Sequence, residues 1–164
     1  MAGQEEVGMT FTVLYNAART KRWHTHDMLK EQNLADHQWG VALIVMTIMP
    51  GRYNLLKAAL THDLGEAVTG DVPYTGKKMY PEIKRLTEQA EYEFAVRYGT
   101  ATPLTAEDAA ILAWADMLEA YLHAKREVSL GNTTMKYVVD KASEALISMG
   151  SPNKIAYELL KEVT

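Results

Sequence analysis

The 164 residues are 48% hydrophobic and 23% charged, with a formal net charge of −4 and no cysteine. That is the length of one domain and the composition of an ordinary globular protein. The acidic balance argues against a sequence-blind grip on a nucleic-acid polymer, and the lack of cysteine excludes disulfides, thiolate metal sites and cysteine nucleophiles.

The opening MAGQEEVG is acidic where a signal peptide would be basic. In residues 10–19, Phe11, Leu14, Tyr15 and Ala18 recur at helical spacing. The polar and aromatic TKRWHTHDM that follows reads as irregular. A second helix is expected from about Asn33 to Met49, apolar almost all round and therefore central, and Pro50-Gly51 stops it. Its apolar run is too short to span a bilayer. A cytoplasmic protein without a membrane partner is expected.

A third helix is predicted over residues 53–68, with Leu55, Leu56, Ala59, Leu60, Leu64 and Ala67 as its inward stripe. Thr69-Gly70 ends it, and DVPYTGKKMYP reads as a loop suited to substrate contact. A fourth helix covers residues 81–98, with Pro81 in its first turn. Thr105 and Asp108 form a capping box before a long apolar helix that runs to about Leu130, and two further helices cover residues 134–149 and 152–163. No run alternates with a period of two. The expectation is an all-α bundle of about seven helices in a single domain, residues 1–164.

The chemistry concentrates in THDLGEAVTGD, residues 61–71. Glu66 lies four residues after His62 and three after Asp63, which puts all three on one helical face. The two most apolar helices each carry one out-of-place polar group, His37 and Asp116. Taken alone, His37 reads first as a satisfied core histidine and Asp116 as an ion-pair partner. Jointly, two imidazoles and two carboxylates make a nitrogen and oxygen shell for a divalent transition metal.

Arg22-Trp23, then His37, then the run HDxxExxTGDxP from His62 to Pro73, then Asp116 in ADMLEAYL, resemble the HD-domain metal phosphohydrolases. The likeness is strongest to the 5′-deoxynucleotidase branch and its short phage dATP triphosphohydrolase relatives, and it covers residues 19–131. It implies an all-α fold and a metal (Zn, Co or Mn) held by His37, His62, Asp63 and Asp116. It also implies hydrolysis of the 5′ phosphate ester of a deoxynucleotide, probed first with a deoxyadenosine substrate, in the host cytoplasm if the chain is phage-encoded.

Glu66 is then the proton-transfer residue, and Asp71 serves catalysis, the sugar or a second divalent ion. Arg22 is a phosphate clamp and catalytic aid, Trp23 a surface for base or sugar, and Thr25 part of the base pocket. Lys77 and Lys78 reach the phosphates. Two enzyme readings share this shell: cleavage of dATP to deoxyadenosine and triphosphate, which the short chain and the resemblance favour, and, as the alternative, dephosphorylation of deoxynucleoside monophosphates. A degenerate HD module that only binds nucleotides would have lost a ligand or Glu66, and this chain keeps both. The Ala, Leu and Tyr content of the later helices, Tyr121 and Tyr137 among them, and the resemblance lead to the expectation of a homo-oligomer, a dimer or a multiple of one.

Overall fold

The computed structural model describes the backbone of residues 2–164 and the side chains of residues 10–164. Among these the chain is all-α, with nine α-helices and one 3₁₀ turn: α1 (Ala2–Ala17), α2 (Leu34–Ile48), α3 (Tyr53–Ala59), α4 (Glu66–Thr69), α5 (Tyr74–Met79), α6 (Pro81–Arg97), α7 (Ala106–Ser129), the turn Thr133–Met135, α8 (Lys136–Met149) and α9 (Lys154–Val163). An isolated bridge pairs Lys21 with Asn33.

Two compact units emerge. One contains the N-terminal segment to His26, Glu31–Asp36 and Thr61–Ala101. Its core is small: Ala17, Leu64 and Phe94 are buried, with Val13, Leu14, Ala18 and Tyr98 packed on them. Phe11 and Tyr15, two of the apolar positions at helical spacing in α1, point outward, and their rings stack at 5.9 Å. Gly65 sits on the backbone of α6, so closely that a Cβ would lie 2.6 Å from Glu91 Cα. No side chain fits there.

The other unit contains Asp27–Lys30, His37–Leu60 and Thr102–Thr164. Val41, Val45, Ile48, Leu55, Trp114, Leu118 and Leu146 fill its core. Thr105 Oγ1 accepts the Asp108 amide at 3.1 Å, the expected cap of α7. Arg52, just after the stop at Gly51, reaches the same first turn and pairs with Asp108 at 2.5 Å. That contact holds the Asp108 carboxyl below its usual range and raises Arg52. Asn153 caps α9 through the Ala156 amide at 2.9 Å and donates to the Ile48 carbonyl at the end of α2.

At the far end of α7, Glu127 is almost wholly buried. Its carboxylate accepts the Leu29 and Lys30 amides and the Asn132 side chain, each at 2.8 Å. Burial alone would raise the Glu127 carboxyl, but these donors outweigh it and the group titrates below its usual range. His123, one turn earlier, adds a smaller charge effect that lowers the Glu127 carboxyl further.

Three expectations are corrected. The predicted third helix breaks after Ala59 and resumes at Glu66. The polar triplet Thr61-His62-Asp63 and the close seat of Gly65 favour tight turns, and Leu60 and Ala67 face outward instead of in. The segment after Asp71 is not all loop, because Tyr74–Met79 forms α5. Tyr121 is buried in the core and offers no surface to another subunit, whereas Tyr137 is exposed.

Candidate active site

The turn before α4 carries His62 and Asp63. Its hydrogen bonds run from residue i+3 back to i, as in Glu66 N to Asp63 O at 2.9 Å and Ala67 N to Leu64 O at 3.2 Å. Such turns close every three residues, so Asp63 and Glu66 share a side although no α-helix joins them. His62 Nε2 lies 3.4 Å from Asp63 Oδ2. Arg22 donates from Nη1 to that same oxygen at 2.8 Å, a half-buried pair. Arg22 thus brings a positive charge beside a metal-type carboxylate.

Trp23 has φ of +60°, the only non-glycine residue with positive φ among those described. A bulky side chain adopts this conformation only when its surroundings impose it. They do: its amide donates to Asp71 Oδ2 at 3.0 Å and its indole Nε1 to Gln32 Oε1 at 2.8 Å. Asp71 is therefore a tie to the Trp23 backbone. Thr25 is exposed, its hydroxyl 3.2 Å from His26 Nδ1.

Glu66 is buried, and its Oε2 meets no hydrogen-bond partner among the described residues. Burial first, then the charges of Asp63 and Asp71, push its carboxyl up to about 8, against the pull of Arg22 and Lys77. In the metal-free protein it is a carboxylic acid at neutral pH. Lys77 on α5 stands 3.8 Å from Glu91, which also accepts Thr69 Oγ1 at 3.1 Å. Burial raises the Glu91 carboxyl, and Lys77 and Thr69 oppose it. Lys78 is exposed.

His37 on α2 is fully buried. Its Nε2 lies 3.1 Å from Asp116 Oδ1, and its Nδ1 lies 2.5 Å from Glu119 Oε2, both carboxylates projecting from α7. Glu119 went unassigned in the sequence, although it follows Asp116 by three residues and so shares its helical face. Gln32 and Glu91 were equally unremarkable there.

Ligand atoms of His37, His62, Asp63 and Asp116 lie within 4.8 Å of one another. The donor set fits a divalent transition metal: neutral imidazoles and carboxylates, no thiolate, and donors near enough for one ion to draw on all four. Among the described residues this is the one such group, and Asp71 is not in it.

An all-α scaffold that gathers these donors beside a buried acid defines a metal-dependent hydrolase. The family model of YfbR-like 5′-deoxynucleotidases matches residues 10–160, and the chain belongs to that family of HD phosphohydrolases. The 5′-deoxynucleotidase of Pasteurella multocida is 24% identical, covering 77% of each chain. That of Vibrio cholerae is 28% identical over 68% of this chain and 71% of its own. Among solved structures, the cyanophage S-2L HD phosphohydrolase DatZ, bound to dA and one catalytic Zn2+ ion, has a TM-score of 0.70 at 25% identity over 93% of this chain and 92% of its own. The chain is thus a divalent-metal-dependent hydrolase of deoxynucleotide phosphate esters. No helix among the described residues is long and apolar enough to cross a membrane.

Proposed function

We propose that the substrate is dATP, cleaved to deoxyadenosine and triphosphate by one domain that spans residues 1–164. The observation that carries this reading is one of extent. The chain is similar over 93% of its length to 92% of DatZ, the phage phosphohydrolase bound to dA and one catalytic Zn2+ ion. Its compact interval between Asp63 and Asp116 agrees with that.

In the reaction, water attacks the α-phosphorus, the bond to the 5′ oxygen breaks, and that oxygen takes a proton. His37, His62, Asp63 and Asp116 would hold a divalent ion, best zinc with cobalt or manganese as substitutes, which would supply Lewis acidity for the phosphoryl group and the attacking water. Glu66 gives its proton to the departing 5′ oxygen. Its burial favours the protonated form that this step uses. Arg22 faces the α-phosphate from its place on Asp63, and Lys77, with exposed Lys78 behind it, neutralises the β- and γ-phosphates. Trp23, fixed by Asp71 and Gln32, offers its ring to the base, and Thr25 lines the rim.

The enzyme works as a homo-oligomer. Support comes from an exposed apolar row on α2, Trp39, Leu43 and Met46, together with exposed Tyr137; sedimentation velocity tests it. Product analysis after incubation of the metal-loaded protein with dATP and with dAMP tests the substrate. Triphosphate from dATP is expected. Orthophosphate from dAMP, with dATP untouched, makes the chain a monophosphatase. Inertness toward both, with metal bound, makes it a binding module.

A further inference from the structure

We propose that Glu119 is a positioning residue: seated over Gly40, it fixes His37 with the proton on Nδ1 and the lone pair on Nε2. The inference rests on the metal reading above, since the lone pair it directs is the one a metal would take. A ring nitrogen 2.5 Å from a carboxylate oxygen donates to it, which puts a proton on Nδ1. Nε2 is then the nitrogen that faces Asp116 Oδ1, at 3.1 Å, and its lone pair is the one a metal ion there would take.

Gly40 is what makes this possible. It lies three residues after His37 on the same face of α2, in the interior of a helix, where glycine costs about 1 kcal/mol relative to alanine. A Cβ at position 40 would come within 2.8 Å of Glu119 Cγ and 3.3 Å of its Oε1. Cγ is near the root of the side chain, so relief would require the whole of Glu119 to move, carboxylate included. The glycine therefore clears the path along which Glu119 reaches the buried ring. His37, Gly40, Asp116 and Glu119 form one device on two helices: two residues on α2 answered by two on α7, each pair three apart.

The test reads the ring and the metal separately. In the metal-free protein, ¹⁵N shifts of the His37 ring report the tautomer. Zinc affinity is then measured by competition with a chromophoric chelator. In the wild type, the Nδ1–H form is expected. Glu119→Ala should release the ring into a mixture of forms and weaken zinc about 10- to 100-fold. Glu119→Gln, whose amide oxygen still accepts, should keep the tautomer and most of the affinity. Gly40→Ala should weaken zinc in the wild type and change nothing further in the Glu119→Ala background.

A wild-type ring protonated elsewhere overturns the proposal. So does a Glu119→Ala protein with unchanged tautomer and zinc affinity, or losses at Gly40 and Glu119 that multiply. If Glu119→Ala does not fold, Gly40→Ala carries the test, because it removes no polar group and favours the helix. A wild type that binds no zinc sinks the metal reading, while the metal-free ring spectra still decide what Glu119 does.

Discussion

The turn that carries His62 and Asp63 and the helix pair that carries His37 and Asp116 hold the same kinds of donor by different means. In the turn, the donors are partly buried and stand on three-residue hydrogen-bonded loops, and their order comes from charge: Arg22 on Asp63, with Asp63 and Asp71 acting on Glu66. In the helix pair, His37 is fully buried, the supporting elements are long and continuous, and the order comes from packing and a direct carboxylate bond. One region is tuned by neighbouring charge and tolerates change in shape. The other is set by volume and tolerates little.

Substitutions can break this comparison. The largest effect is expected at the donors. Asp63→Ala and His37→Ala should both lose bound metal on dialysis and lower turnover at least ~10³-fold. Only His37→Ala should also lower stability, by about 2–4 kcal/mol in a denaturant titration, since it empties a packed site beside Glu119. Equal stability loss in both would erase the distinction.

Glu66→Gln should come next, with turnover down about 10²- to 10⁴-fold and metal retained. It also carries a pH signature in the metal-free protein. The Glu66 carboxyl is raised from 4.5 unfolded to about 8 folded, so the folded state holds the proton more tightly. Its contribution to stability is fully present below the unfolded value and is lost as pH rises through about 8. That amounts to a few kcal/mol across the window, on the order set by linkage. The wild-type melting temperature should therefore fall over that range, and the Glu66→Gln curve should be flatter. Parallel curves would show that the proton is not on Glu66.

Glu127→Ala belongs to the packed region and should cost about 2–3 kcal/mol, because three donors lose their acceptor. Lys77→Ala, in the charge-tuned region, should leave stability nearly unchanged and raise KM for dATP about tenfold more than KM for dAMP. A uniform rise for both nucleotides would place Lys77 at the α-phosphate. The smallest effect is Thr105→Ala, about 1 kcal/mol from the lost cap of α7, read as a shift in melting temperature at constant activity.

The packed region was the more legible from sequence. A helix apolar almost all round announces that a lone histidine within it has a purpose, and the Thr105 cap and the Pro50-Gly51 stop carry their own signatures. The turn was less so. Leu55, Leu56, Ala59 and Leu64 form an unbroken stripe, and nothing local shows that Gly65 will meet the α6 backbone and force the chain out of α-helical winding. The motif still put Asp63 and Glu66 together, because three-residue turns preserve that spacing. Glu119, Glu91 and Gln32 escaped notice for a common reason. Each is a polar residue of an ordinary type whose role depends on a partner distant in sequence.

The left-handed backbone at Trp23 sets fold and task against each other. Glycine would relieve the backbone there, but it would also remove the indole that donates to Gln32 and give the unfolded chain more freedom. Trp23→Gly therefore trades one cost for another in stability, and, on the role proposed for the ring, it would leave the metal donors intact while weakening the grip on the nucleoside.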